Sequence, residues 1–185
     1  MIHDTVLVDR LSARPHQPFS GEVFRATRIN ADPLAPSSSG GRWAPAPDGS
    51  AAFPVLYTSL ERDGAIAEVA TFLADMTPLP PELPVKVSRL GVTTSRTLRL
   101  VEADLKELGV DLTRYGERDY PVTQMIGATL AFLELDGLVA PSARWGCTNL
   151  MLFTDNHSLN ERLEVLDEEW VGWRAWAVEH GVLRP

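Results

Sequence analysis

The stretch PVLYTSLERDGAIAEVATFLADM, residues 54–76, predicts a β-strand that is followed directly by an α-helix. Residues 54–60 alternate in the manner of a strand, with Val55, Tyr57 and Ser59 on one face. The sequence then changes from a two-residue to a helical period, and this change defines the first strand–helix unit of the chain.

The predicted helix covers residues 62–76 and carries one apolar stripe. Helical spacing relates its members, Ile66, Val69, Ala70 and Leu73. Glu68 lies about 120° from the middle of this stripe, at 100° per residue. We therefore expect Glu68 at the rim of the helix, where a carboxylate can face a cleft.

Strand and helix patterns alternate on both sides of this unit. Residues 1–23 are mixed, and Pro15 and Pro18 are expected to break regular structure there. Strands are predicted at 23–28, 85–92, 95–101, 138–143 and 148–153, and helices before Gly109, from Pro121 to Gly137, and over 167–181 with Asp167 as N-cap. This alternation predicts a mixed α/β or α+β single domain over residues 1–185.

Three tryptophans of the last predicted helix, Trp170, Trp173 and Trp176, would share an aromatic ridge at spacing i, i+3, i+6. Core packing is the preferred interpretation, and a partner interface is the alternative.

Residues 29–50 are rich in Pro, Gly and Ser and are predicted to be mostly loop. A loop of this length in a small domain is typical of a working loop or of a disordered one. It contains Gly40 and Gly41 followed by Arg42, a combination that lets backbone N–H groups and a guanidinium approach a phosphate. A Gly-Gly pair alone is more often a plain turn, and neither a Walker loop nor a dinucleotide fingerprint is present.

The charge of the chain argues against direct binding of nucleic acid. Its 185 residues carry 17 Lys+Arg and 25 Asp+Glu, for a net charge of −8 at pH 7. Residues 1–60 hold five Arg and five acids, so the excess negative charge lies in residues 61–185. We expect a local positive site on an acidic body.

The cysteine count and the hydropathy of the chain argue against a disulfide-rich, a zinc-binding and a membrane protein. Cys147 is the single cysteine, which rules out an internal disulfide framework and a zinc site of several thiolates. A nucleophilic Cys147 paired with His157 is the less favoured interpretation, because a free cysteine is usually buried. No metal site is expected, and without an apolar run of about 20 residues or a signal peptide, the protein is expected to be soluble and cytoplasmic, with no membrane association.

An ordered set of motifs resembles the RES domain family, which is named after an Arg, a Glu and a Ser. The motifs are Phe24-Arg25, Gly40-Gly41-Arg42-Trp43, Val55 to Ser59, Ala65-Ile66-Ala67-Glu68, Asp136 to Arg144, and Asn149 to Phe153. They place the motif-bearing core at about 24–153, with 1–23 and 154–185 as terminal extensions packed on it. The resemblance implies a fold similar to the ADP-ribosyltransferase toxins, with a split mixed sheet and flanking helices around a cleft for NAD.

The same resemblance implies an activity and a set of site residues. Members of the family act as toxins that degrade NAD, several of them by phosphorolysis to nicotinamide and ADP-ribose-1″-phosphate. Carried over to this chain, the catalytic residues are Arg25, Arg42, Tyr57, Glu68 and Ser142, and the ligand-binding residues are Gly40, Gly41, Trp43 and Asn149. NAD is then a substrate, inorganic phosphate its co-substrate, and no cofactor is bound permanently.

Two alternatives stay open at this point. One is NAD glycohydrolase or ADP-ribosyltransferase chemistry on the same fold. The other is a catalytically degenerate binding module. Its motivation is Ala26, where some family members carry an aromatic residue, and Ala44, where the family favours Asn. The resemblance also implies a helical Xre-type antitoxin as partner, and it leaves open a homodimer within the toxin–antitoxin complex.

Overall fold

The computed structural model describes residues 4–45 and 53–184. In this part of the chain the helices are α1 Thr5–Ser12, α2 Arg62–Ala74, α3 Glu102–Glu107, α4 Pro121–Phe132 and α5 Trp173–Glu179, with a 3-10 turn at Leu112–Arg114. The strands are β1 His16–Arg28, β2 Val55–Ser59, β3 Val85–Arg99, β4 Gly137–Pro141, β5 Thr148–Phe153 and β6 Leu163–Val171. None of these helices has the length and apolar character needed to cross a lipid bilayer.

The six strands form one mixed sheet with the order β1-β2-β5-β4-β3-β6. Because β1 also pairs with β3, the first five strands close into a ring, and β6 is added at the outside of β3. The pairing of β3 with β4 is parallel, and the other pairings are antiparallel. The prediction of a mixed α/β single domain is confirmed.

Alternation along the strands sorts the apolar side chains into three clusters. The ring interior is filled from each of its five strands by Val23, Leu56, Leu90, Val92, Val139, Leu150 and Leu152. The opposite faces of β2, β4 and β5 pack against α1, α3 and α4, with Leu98, Leu138, Met151 and Phe153 at the centre. A third cluster joins α2 and α5 to the start of β3 through residues that include Ile66, Ala70, Val87 and Trp173.

The expected strand–helix unit is present at β2 and α2. The helix buries small residues, Gly64, Ala65, Ala67 and Ala70, beside Ile66. Small side chains let the axis of α2 approach the sheet closely, which leaves Glu68 and Val69 on the wall of a cavity.

Three predicted elements are wrong in extent. Residues 85–92 and 95–101 are not two strands, because β3 runs unbroken and pairs with β1 along nearly its full length. Similarly, β1 begins at His16 rather than at residue 23 and contains Pro18. The register of β1 against β3 shifts between Gln17 and Phe19, and such a bulge tolerates a proline that lacks an N–H donor. Residues 5–12, for which no helix was predicted within the mixed segment 1–23, form α1.

The predicted helix over 167–181 is also wrong at its start. Asp167 is not an N-cap but lies in β6 opposite Arg89, and the helix α5 begins only at Trp173, after Gly172. Trp173 and Trp176 are buried, as core packing predicts, whereas Trp170 lies on β6 and is 60% exposed. Pairing with β3 outweighs the local helical pattern, since it satisfies the backbone of a whole strand.

The predicted loop 29–50 lies partly outside the described residues, at 46–50. Its described part is irregular. Two backbone hydrogen bonds between Ser37 and Val55 connect it to β2. Closer to the site, the Gly41 N–H donates to the carbonyl of Ala44 at 2.8 Å and closes a small turn, and Gly40 adopts φ +83°, which favours glycine.

Candidate active site: a cationic cleft around Glu68

A cavity of about 440 Å³ opens between β1, β2, α2 and three loops. It brings together predicted residues that are far apart in the sequence. Those that line it are Arg25, Gly40, Gly41, Arg42, Trp43, Tyr57, Glu68 and Asn149. Ser142 is not a lining residue, although its neighbours Pro141 and Ala143 are. The volume falls in the range of pockets that take one small-molecule ligand.

The carboxylate of Glu68 is held in a fixed position. Ser142 Oγ and Asn149 Nδ2 both donate to Glu68 Oε1, each at 2.9 Å. Its second oxygen, Oε2, accepts no hydrogen bond from the described residues and is therefore available to a ligand. A carboxylate held in this way reorganises little when positive charge develops beside it.

Ser142 acts on Glu68 from a tight turn. Its hydroxyl oxygen accepts from the backbone N–H groups of Arg144 at 3.1 Å and Trp145 at 3.3 Å, which leaves its hydrogen for Glu68. The structure therefore places Ser142 beneath Glu68. Its assignment as a catalytic residue stays a prediction.

Asn149 has one polar atom without a partner. Its Nδ2 must face Glu68, because an ionised carboxylate only accepts hydrogen bonds. The amide oxygen Oδ1 is then buried and has no hydrogen-bond partner among the described residues. Because this oxygen is shielded from solvent, a ligand in the cavity reaches it only if a neighbouring group moves.

The loop 40–44 fixes Tyr57. The Tyr57 hydroxyl accepts from the N–H of Trp43 at 3.3 Å. A Cβ on Gly41 would lie 2.7 Å from this hydroxyl, so a side chain at position 41 would displace the tyrosine. Burial raises the pKa of Tyr57 to about 12, against the opposing effect of the Trp43 and Ala44 backbone N–H groups. Trp43 itself is 3% exposed and belongs largely to the core.

Arg25 enters the cavity from β1. Its Nη1 donates to the carbonyls of Pro33 at 2.8 Å and Ala35 at 2.7 Å, so the guanidinium also holds the loop that follows the strand. Burial lowers the pKa of Arg25, while the charge of Asp32 raises it. Its contacts use neutral carbonyls, and its charge therefore remains available to an anion.

The Arg42 guanidinium contacts two tyrosine rings. Its Cζ is 4.5 Å from the ring centroid of Tyr115 and 4.7 Å from that of Tyr120. Burial raises the pKa of Tyr115 to about 12, an effect that Arg42 opposes and Glu68 reinforces, and its hydroxyl donates to the Pro141 carbonyl at 2.9 Å. Both rings therefore attract the charge of the guanidinium without neutralising it.

Sequence reasoning missed two further arginines and a tyrosine of the cavity. Arg118, Arg144 and Tyr120 line it beside the predicted residues. Arg144 is the last residue of the motif Asp136 to Arg144, which the sequence comparison used without assigning a role to the arginine. Arg118 and Tyr120 belong to an irregular segment without any periodic signal. Four arginines and one carboxylate thus line the cavity, which agrees with the expected local positive site.

Cys147 is not poised as a nucleophile. Burial raises its thiol pKa, which Ser59 opposes through a sulfur–oxygen hydrogen bond of 3.3 Å. His157, the other half of the suggested pair, contacts the carbonyl of Thr93 instead. Within residues 4–45 and 53–184, no group of three or more His, Cys, Asp or Glu side chains is arranged to hold a metal ion.

Fold and site together define a mixed α/β domain with a cationic cleft built around one fixed carboxylate. This chain belongs to the RES domain family, whose model matches residues 9–174. A chain in the crystal structure of the M. tuberculosis MbcT–MbcA toxin–antitoxin complex has the same fold, with a TM-score of 0.79 and 21% identity over 94% of this chain and 96% of that one. A comparison with curated protein sequences finds no match.

Proposed function

We propose that this protein is the toxin of a toxin–antitoxin pair and acts as an NAD-degrading enzyme, with phosphorolysis as its reaction. Membership of the RES domain family and the fold shared with a chain of a toxin–antitoxin complex support the first part. The observation that carries the second part is the carboxylate of Glu68, fixed by two hydrogen bonds in a cavity lined by four arginines.

The reaction requires cleavage of the bond between nicotinamide and ribose. The nicotinamide ring leaves with the electron pair of the C1″–N bond and becomes neutral, so no general acid is needed. Positive charge develops at C1″, as in glycoside hydrolysis, and a carboxylate beside it stabilises the transition state. Glu68 supplies that carboxylate, and Ser142 and Asn149 keep it in place.

The remaining residues bind the dinucleotide. Arg25 and Arg42 neutralise its pyrophosphate or fix the incoming phosphate. Tyr57 lies against nicotinamide or ribose, and the backbone of Gly40 and Gly41 approaches the phosphates. Trp43 supports this loop from the core, and Asn149 contacts the ligand as a residue of the cavity wall.

The partner in this proposal is a helical antitoxin that covers the cleft and contacts DNA on behalf of the complex. The net charge of −8 leaves this protein poorly suited to contact DNA itself.

The test is nicotinamide release from NAD by the purified protein, with and without inorganic phosphate. Glu68→Gln is expected to lose at least about 100-fold in turnover, since one transition-state contact is worth on the order of 3 kcal/mol. Glu179→Gln, an exposed glutamate at the end of α5, is the matched control and should retain full turnover. Undiminished turnover in Glu68→Gln would contradict the assignment.

Comparing the assay with and without inorganic phosphate distinguishes phosphorolysis from hydrolysis and ADP-ribosyl transfer. Acceleration by phosphate, with ADP-ribose-1″-phosphate as product, supports phosphorolysis. Release that is independent of phosphate identifies a glycohydrolase or an ADP-ribosyltransferase, and labelling of an added protein distinguishes these two. Binding of a partner without NAD turnover would establish the degenerate binding module. Ala26, which lines the cavity where some family members carry an aromatic ring, is the feature that favours this outcome.

A further inference from the structure

The turn formed by residues 142–147 joins β4 to β5 and carries Ser142, the residue that donates to Glu68. The N–H of Ser142 donates to the carbonyl of Cys147 at 2.9 Å and closes the turn. Gly146 is exposed, and a Cβ there would meet no heavy atom within 4 Å. Backbone closure alone does not orient a surface turn against the rest of the protein, so side-chain contacts decide its position.

Trp145 connects this turn to the apolar cluster of α2, α5 and β3. Its ring centroid lies 5.4 Å from that of Trp176 and 5.5 Å from that of His180. Trp176 and His180 are themselves stacked at 4.2 Å. Aromatic pairs at these distances attract one another beyond the effect of the buried area. The indole of Trp145 therefore anchors the turn on the end of α5.

The surface beneath Trp145 is held firmly in place. Trp176 is 6% exposed, and its Nε1 donates to the carboxylate of Asp63 at 3.1 Å. Asp63 belongs to α2, the helix that also carries Glu68. Helix α5 is thus joined to α2 on one side and to the turn 142–147 on the other.

The backbone of Trp145 links this packing to the carboxylate. The N–H groups of Arg144 and Trp145 donate to Ser142 Oγ at 3.1 Å and 3.3 Å. The hydroxyl in turn donates to Glu68 Oε1 at 2.9 Å. A hydroxyl has a single hydrogen, and the two N–H donors on its oxygen leave that hydrogen directed at the carboxylate. A shift in the backbone of Trp145 therefore moves the hydroxyl relative to Glu68.

We propose that Trp145 is a positioning residue, which uses its contacts with α5 to hold Ser142 against Glu68. This inference rests on the proposed function, because an effect on rate requires that Glu68 stabilise charge at C1″. Trp145 is not among the residues that line the cavity, so its ring does not contact a ligand there. Loss of the ring should slow the bond-breaking step and leave the binding of NAD nearly unchanged.

The experiment measures kcat and KM for nicotinamide release by Trp145→Ala, well below the thermal midpoint. We expect kcat to fall about 10- to 100-fold, as for a misaligned hydrogen bond to an ionised carboxylate, and KM to change less than about twofold. Trp145→Phe keeps an aromatic ring and should recover most of the rate, and a loss as large as that of Trp145→Ala would contradict aromatic packing as the cause. Trp170→Ala is the matched control, because it removes an indole that is 60% exposed on β6. It should retain full kcat.

A double-mutant cycle with Ser142→Ala tests whether Trp145 acts through the hydroxyl. Adding Trp145→Ala to Ser142→Ala should cost no further rate, since the hydrogen bond to Glu68 is already lost. The full loss in both backgrounds overturns the proposal, as does an unchanged kcat in either single variant. If Trp145→Ala does not fold, Trp145→Leu keeps an apolar side chain without a ring, and an unchanged kcat there overturns it equally.

Amide hydrogen exchange separates this inference from the proposed function. The N–H of Ser142 should exchange faster in Trp145→Ala but not in Trp170→Ala, because its bond to Cys147 depends on the anchored turn. Faster exchange in a protein that releases no nicotinamide keeps the anchor and contradicts the enzyme. Turnover of NAD by the wild type, with exchange and kcat both unchanged in Trp145→Ala, keeps the enzyme and contradicts the role of Trp145.

Discussion

Gly127→Ala tests how the cavity loop is positioned. Gly127 lies in the middle of α4, where glycine costs about 0.5–1 kcal/mol relative to alanine. A Cβ there would overlap the carbonyl oxygen of Trp43 and lie 2.8 Å from its carbonyl carbon. Gln124, one turn earlier, donates to the carbonyls of Gly41 at 2.9 Å and Ala44 at 3.3 Å. The loop 40–44 thus rests directly on the backbone of α4.

The expected loss of stability in Gly127→Ala follows from these distances. The carbonyl carbon of Trp43 must move by about 0.6 Å to reach ordinary contact at 3.4 Å, and the overlapped oxygen must move further. Overpacking of this kind costs about 1–3 kcal/mol, which exceeds the gain in helix propensity, so the net loss is on the order of 1–2 kcal/mol. For a chain of this size, the thermal midpoint should fall by about 2–8 °C.

The same displacement should reduce turnover. The N–H of Trp43 holds the Tyr57 hydroxyl, and a misplacement of about 1 Å at a site can cost roughly 100-fold in rate. Thermal unfolding followed by circular dichroism and nicotinamide release well below the midpoint measure both effects. Gly146→Ala is the control, because no heavy atom lies within 4 Å of a Cβ at that position. A normal midpoint and normal turnover in Gly127→Ala would refute the proposed contact.

Two further predictions concern aromatic residues. Tyr57 and Tyr115, with pKa values raised to about 12, should ionise near pH 12 in an absorbance titration. Because an unfolded tyrosine loses its proton from about pH 10, stability should decline between pH 10 and 12, and normal titration near pH 10 would contradict their burial. Trp173→Ala should cost about 3–5 kcal/mol in denaturant unfolding, since this side chain is 1% exposed. Trp170→Ala, at 60% exposure, should cost much less, and equal losses would contradict the assignment of Trp170 to β6.

The outcome of the secondary-structure predictions depends on whether the deciding interactions are local. The unit of β2 and α2 was predictable because its period changes within a few residues, and Glu68 indeed lies at the rim of α2 beside the cavity. The helical pattern around Trp170 gave a wrong prediction. Strand pairing with β3 is a long-range interaction that no local period reveals.

The residues of the site also divide into those that local motifs identify and those that only long-range contacts bring in. Motifs identified Arg25, Arg42, Tyr57 and Asn149, and the structure places all four on one cavity. Motifs did not reveal that the segment 115–120 stacks on Arg42 and binds Arg144. Those contacts join residues that are separated by more than 20 positions, so only folding brings them together.

The amino-acid sequence on its own established the mixed α/β class, the acidic balance with a local basic site, and the residue types available for chemistry. These follow from composition, short periods and motif order, which are properties of neighbouring residues. The tertiary structure decided which oxygen of Glu68 is free, which arginines line the cavity, and that Ser142 supports the carboxylate. Hydrogen bonds and charge pairs act over a few ångströms in space, and closure of the five-stranded ring determines which side chains come within that range.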